Sequence, residues 1–155
     1  MIKTNAMRKL DTLKINYEVH CYAYTEAISG VAVAAVLGQN PAMVFKTLVT
    51  VGKTGINYVF VIPAEAELDL KKAAQIAGEK AIEMLKAKDL LPLTGYVHGG
   101  CSPIGMKKPF KTFVHNTAAG LDAFFVSGGK IGYQLELAPD DLNKAIPLVY
   151  GDLIK

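Results

Sequence analysis

Two β-rich runs, Val44–Val51 and Ile56–Pro63, flank the tetrapeptide Gly52-Lys53-Thr54-Gly55. A glycine-containing turn that short lets its flanking strands pair only with each other and antiparallel, so the segment is predicted to be a β-hairpin. Around it the apolar spacing changes period. Asn5–Lys14 places Met7, Leu10 and Leu13 at helical intervals, and Gly30–Leu37 is an Ala- and Val-rich helix stopped by Gly38. Asn40-Pro41 marks a turn or a short helix start. Leu68–Ala77 and Ala81–Ala87 read as helices separated at Gly78, and Pro139–Ile146 as a last helix with Asp140 and Asp141 in its first turn. Tyr17–Tyr24, Thr112–Asn116 and Ala123–Ser127 read as strands. Gly128-Gly129 then turns the chain into Ile131–Leu137, a second hairpin. Leu91–Gly95 and Gly99–Gly105 are loops by composition. The expected architecture is α+β: a mixed, largely antiparallel curved sheet or barrel with inserted helices, in a single domain spanning residues 1–155.

Composition sets limits on function. Hydrophobic residues make up 51% and charged residues 20%, the balance of a packed globule. A mean hydropathy of +0.25 raises the question of a membrane. The longest apolar stretches, such as Val31–Leu37 and Tyr58–Pro63, fall far short of the ~20 residues of a span. Met1–Leu10 carries Lys3, Arg8 and Lys9 without an apolar stretch, unlike a secretory signal. Cys21 and Cys101 make no disulfide framework, so the expectation is a cytoplasmic protein with reduced thiols and no membrane contact. A net charge of +3 permits an anionic partner without requiring one.

Several motifs are decoys. Gly52-Lys53-Thr54 resembles the end of a phosphate-binding loop, but Thr47 stands where that loop needs glycine, and a strand follows instead of a helix. His98 with Cys101, and His20 with Cys21, lack the paired spacing of a zinc site, so no metal and no cofactor is expected. Cys101 with His98 or His115 is a weak nucleophile pairing, because a lone loop cysteine is more often incidental. Lys71, Lys72, Lys80, Lys86 and Lys88 read as solvated helix faces.

Three features carry chemistry. Lys46 lies early in the first hairpin strand, on the face of Val44 and Leu48 by alternation. It either packs its stem on apolar neighbours or points into a pocket to bind phosphate or polarise a carbonyl. In Gly99-Gly100-Cys101-Ser102-Pro103-Ile104-Gly105, glycines allow close backbone approach and Pro103 holds Ser102 extended, so backbone amides can face a developing oxyanion. Lys107, Lys108 and Lys111 follow that loop directly and are candidate phosphate contacts.

Together, VFKTLV at Val44–Val49, GGCSPIG at Gly99–Gly105 and SGGKIGYQLELAP at Ser127–Pro139 resemble, in order and spacing, the YbaK family of aminoacyl-tRNA editing domains, including its EbsC-like members. The resemblance runs from about Thr4 to Leu142. It implies a trans-editing hydrolase acting at the acceptor end of mischarged tRNA, most often prolyl-tRNA carrying cysteine, with a prolyl-tRNA synthetase as a further partner. The family's essential lysine falls on Lys46, its Gly-rich substrate loop on Gly99–Pro103 and its small polar pocket residue on Ser127. Thr47 beside the lysine and Tyr22 join the expected substrate-binding set. Ser29 stands where relatives have an aromatic residue and Gln134 where they have an acid, which bears on pocket shape and selectivity.

On this reading Lys46 anchors the 3′-terminal nucleotide or the substrate, and the amides of Gly100 and Cys101 stabilise the oxyanion. The substrate's own thiol attacks its ester carbonyl, so no triad is needed. Alternatives are a deacylase for alanine or serine on tRNA, and a non-catalytic module that binds aminoacyl-tRNA or a synthetase.

Overall fold

The structure, a computed structural model, describes residues 3–22 and 29–155. The hairpin at its centre forms as expected: β2 (Phe45–Gly52) pairs antiparallel with β3 (Asn57–Pro63), with Lys46 opposite Ile62 and Leu48 opposite Phe60. β3 is apolar along almost its whole length because both of its faces are buried. Val59 and Val61 point into one core, and Tyr58, Phe60 and Ile62 into another.

Five strands make this sheet, in the order β4-β2-β3-β5-β8. β4 is Ile82–Met84, β5 is Lys111–His115 and β8 is Leu148–Gly151. A second sheet has the order β1-β7-β6, from Glu18–Cys21, Tyr133–Leu137 and Phe124–Ser127. Four of the six ladders are antiparallel, while β3–β5 and β5–β8 are parallel. The sheets do not close into a barrel. They face each other across a shared core, where the rings of Phe45 and Phe124 meet edge-on at 5.2 Å. A parallel bridge between Val44 and Phe125 links them.

Helices cover what the sheets leave open. α1 (Asn5–Thr12) buries Ala6, Met7 and Leu10 in the shared core and is capped by Thr4, whose hydroxyl accepts the Met7 amide. α2 (Gly30–Leu37) ends at Gly38, as the sequence indicated, and lays Ala34 against Val44 and Phe125. α3 (Leu70–Ala77) seals the outer face of the larger sheet with Ala73 and Ala74. α5 (Pro139–Ala145) returns Leu142 to the shared core.

Three elements differ from the sequence reading. Ala81–Ala87, composed of good helix formers, instead contributes β4, because β2 offers an open edge that takes Ile82 opposite Gly52 and Met84 opposite Thr50. Tertiary pairing overrides local propensity there. Leu91–Thr94 belongs to α4 (Ala87–Thr94), which contains Pro92 and ends at Gly95. Proline removes the amide that would reach the Lys88 carbonyl, and the last turn gains a separate side-chain bond from the Thr94 hydroxyl to the Leu90 carbonyl at 2.8 Å. β8 was not foreseen; its short run pairs only with the distant β5. The Ala23–Tyr24 end of the strand expected at Tyr17–Tyr24 lies outside the described residues.

Glu79 holds the hairpin turn. Its carboxylate accepts hydrogen bonds from the Thr54 hydroxyl (2.5 Å), the Tyr58 hydroxyl (2.6 Å) and the Thr54 amide (3.1 Å). Hydrogen bonds from the Thr54 and Tyr58 hydroxyls keep its carboxyl below the usual carboxylate range. A lowered native value stabilises the fold at pH above the unfolded carboxylate value, and that contribution disappears as pH falls through the native value. Glu79→Gln is therefore expected to lower the melting temperature by several degrees near neutrality, with the gap to wild type closing on acidification. Thermal melts between pH 7 and pH 3 check this, and a gap that stays constant would contradict it.

Candidate active site

β4 covers β2 only from Thr50 to Gly52. Upstream, the edge of β2 faces the smaller sheet across a gap, and that gap holds a cavity of about 470 Å³. Every residue from Val44 to Val49 lines it. Side chains of opposite parity reach one cavity because a strand edge exposes both flanks of the pleat. This volume falls within the range of small-molecule sites.

Lys46 is half-buried in this wall, next to Leu48 on one face of β2 and Thr47 on the other. Among the described residues no carboxylate pairs with its ammonium. The Thr47 hydroxyl is buried without a hydrogen-bond partner. A buried hydroxyl left unpaired costs about 1–3 kcal/mol, a cost that a bound polar group can relieve. The opposite wall comes from the smaller sheet: Ser127 on β6, and Tyr133 and Gln134 on β7, with Tyr22 just beyond β1. Ser29 and Gly30 close one end at the start of α2, where the Ser29 hydroxyl caps the helix by accepting the Ala32 amide at 3.2 Å.

The Gly-rich loop closes the other end, but only part of it lines the cavity. Gly99, with φ +84°, and Cys101 do so, together with His98. The Gly100 amide donates to the Val97 carbonyl at 3.0 Å, so it is already spent, which corrects the oxyanion role expected of it. Gly100 answers a different need: a Cβ there would lie 2.9 Å from the Ile131 nitrogen, against the backbone of the Lys130–Ile131 turn. Ser102 and Pro103 are buried outside the cavity lining, and the Ser102 hydroxyl accepts the Ile104 amide. The Gly99 and Cys101 amides donate to nothing among the described residues. They are the loop donors that remain.

Cys101 is buried, and desolvation pushes its thiol up to about 12. It is a thiol, not a thiolate, at neutral pH, and cannot serve as a nucleophile there without a base. Lys107, Lys108 and Lys111 are exposed and do not line the cavity. The Lys107 stem lies over Gly95 with its ammonium 3.4 Å from the Pro92 carbonyl, and the Lys111 ammonium sits 5.7 Å from the centre of the Phe113 ring.

Some groupings were not visible in the sequence. Met84, Leu85, Ala87 and Leu90 form an apolar side of the cavity, hidden by the misreading of β4 and α4. Gln39 pairs with Gln134 across the end of α2. His20, set beside Cys21 in sequence, instead meets Glu136 at 2.7 Å, with Glu18 close by. β1–β7 pairing puts Glu18 opposite Glu136 and so gathers the three side chains.

A cavity between two partly open sheets, walled by one lysine, small hydroxyls and a glycine-rich loop, suits an ester-bearing ligand with an anionic tail. The chain belongs to the aminoacyl-tRNA editing domain family, whose model matches residues 26–145. It is 50% identical over 139 residues to EbsC of Enterococcus faecalis, a protein provisionally named a Cys-tRNA(Pro)/Cys-tRNA(Cys) deacylase, covering 89% of this chain and 85% of that one. It is 26% identical over 111 residues to the uncharacterised YwhH of Bacillus subtilis, covering 72% of this chain and 70% of that one. Among solved structures, a candidate trans-editing enzyme for prolyl-tRNA synthetase superposes with a TM-score of 0.85 at 24% identity, covering 100% of this chain and 99% of that one. The hypothetical protein APE2540 superposes with a TM-score of 0.89 at 22% identity, covering 98% of this chain and 100% of that one. These superpositions establish the α+β fold. No helix among the described residues is long and apolar enough to cross a membrane.

Burial separates the two cysteines. Cys21 is exposed and Cys101 is buried. Iodoacetamide at pH 7.5 is expected to alkylate Cys21 at least tenfold faster than Cys101, read by mass spectrometry of timed digests. Equal rates would mean that the Cys101 thiol is activated. Gly100→Ala should lower the melting temperature, because the loop and the Lys130–Ile131 turn would have to separate.

Proposed function

We propose that this chain, as one editing domain, hydrolyses the ester of mischarged tRNA in trans, with prolyl-tRNA carrying cysteine as its substrate. The observation that carries the reading is the convergence of Lys46, Thr47, Gly99, Cys101, Ser127 and Gln134 on one cavity. The name of EbsC and its 50% identity support the choice of amino acid and tRNA.

Lys46 receives the phosphate or ribose oxygen of the 3′-terminal nucleotide as an ammonium donor. Thr47 and Ser127 hydroxyls, with Tyr22 and Ser29 at the rim, hold the aminoacyl group. The amides of Gly99 and Cys101 face the ester carbonyl as charge develops on its oxygen. The substrate supplies the nucleophile. Its thiol sulfur bonds to the carbonyl carbon, the ester C–O bond breaks and the 3′-oxygen takes up the thiol proton. The products are free tRNA and a cyclic thioester that water opens to cysteine. Holding that internal geometry can supply several kcal/mol of the barrier reduction. Lys107, Lys108 and Lys111 contact the acceptor stem from outside the cavity, a prolyl-tRNA synthetase delivers the tRNA, and the reaction takes place in the cytoplasm.

Lys46→Ala is expected to cut deacylation of Cys-tRNA(Pro) by about a hundredfold or more with an unchanged melting temperature. Full activity, or an unfolded variant, would remove Lys46 from the site. Across the same tRNA charged with cysteine, serine, 2-aminobutyrate or alanine, release should be fast only for cysteine. A size sieve separates such near-isosteres by only about 1–3 kcal/mol. Comparable rates for cysteine and 2-aminobutyrate would exclude thiol attack. Replacing Lys107, Lys108 and Lys111 together by alanine should flatten the salt dependence of tRNA binding, and an unchanged slope would assign them to solvent alone.

A further inference from the structure

Gln134 is almost wholly buried, at 3% exposure, and still lines the cavity. Its amide pairs reciprocally with that of Gln39: the Gln39 amide nitrogen donates to the Gln134 oxygen at 2.7 Å, and the Gln134 nitrogen donates back at 2.9 Å. Gln39 lies just past Gly38, which ends α2, and its own amide N–H donates to the Ala34 carbonyl at 2.9 Å. This two-way bond ties the C-terminal end of α2, whose first residues Ser29 and Gly30 close one end of the cavity, to β7 in the cavity wall. The structure assigns Gln39 as a positioning residue that sets the spacing between α2 and β7, and so the width of the cavity, through its reciprocal amide pair with Gln134. The role rests on the deacylase reading above, and Gln39 itself does not line the cavity.

Each amide gives one N–H and accepts one N–H, so a carboxylate cannot replace either partner. In Gln39→Glu the introduced carboxylate accepts from the Gln134 nitrogen but sets an oxygen lone pair against the Gln134 oxygen. Once protonated, the acid donates to that oxygen and restores the pair. Partial burial and the facing oxygen both raise the introduced group's pKa, which brings recovery into a workable range. Among the described residues, the other titratable groups of this region are His20, directly opposite Gln134 on β1, and its partner Glu136, with Tyr22, Tyr133, Lys46, His98 and Cys101 on the cavity. All are common to wild type and variants, so they cancel in a ratio.

The test is kcat/KM for Cys-tRNA(Pro) hydrolysis by wild type, Gln39→Glu and Gln39→Met between pH 5 and pH 8, with a melt at each pH. Relative to wild type, Gln39→Glu should be at least about tenfold slower at pH 8 and within about threefold at pH 5.5, while folded at both. Gln39→Met, which leaves the buried Gln134 amide unpaired and does not titrate, should stay low throughout. A ratio for Gln39→Glu that is flat with pH, or a fully active Gln39→Met, overturns the inference and leaves the deacylase reading standing. If Gln39→Glu does not fold, the Gln39→Met rate decides alone. A wild type that releases no cysteine from tRNA(Pro) removes both.

Discussion

Lys46 reaches a cavity at all because β2 is paired along one edge and only partly along the other. Its register against β3 puts Lys46 and Leu48 opposite Ile62 and Phe60, so the core on that face pins the strand. A slip of one residue would exchange Lys46 for Phe45 or Thr47 and drive a charge into the core between the sheets. Glu79 clamps the turn that sets this register, while β4 stops at Thr50, the Leu85 amide takes the Val49 carbonyl, and the edge from Phe45 to Leu48 stays open. The same strand thus supplies stability on one side and a binding surface on the other.

The second wall is brought in by contacts between loops. Gly100 lies against the Lys130–Ile131 turn, and the Thr4 hydroxyl donates to the Gly128 carbonyl at 2.5 Å. The N-terminal cap, the glycine-rich loop and the β6–β7 hairpin therefore meet at one point. Glycine at 100 serves that packing, and the free donors fall on its neighbours Gly99 and Cys101. Burial also keeps the Cys101 thiol protonated, so the site contains a lysine and amides but no thiolate of its own.

Local patterns made much of this legible. The β2–β3 hairpin, the Gly38 stop of α2 and the acidic first turn of α5 depend on neighbours a few residues away, and the sequence displays them directly. The elements that eluded it depend on distant partners. β4 exists because β2 had an edge to fill, and α4 runs through Pro92, which local rules read as a helix breaker. Lys46, Ser127 and Gln134 could be singled out through motifs, whereas the Gln39–Gln134 bond joins residues 95 positions apart and leaves no local trace. The spent amide of Gly100 was likewise invisible, since composition shows that a loop is glycine-rich but not which N–H groups it has already used.

The central claim is that the aminoacyl end of tRNA sits in the gap between the two sheets, against the open edge of β2. An amide-linked, non-hydrolysable 3′-cysteinyl adenosine, titrated into isotopically labelled protein, tests it by NMR. The account predicts saturable shifts of the backbone amides of Lys46, Thr47, Gly99, Cys101 and Ser127, with the α3 face unchanged. Shifts confined to α3 or to the Glu18–His20–Glu136 surface, or none at millimolar ligand, would contradict it.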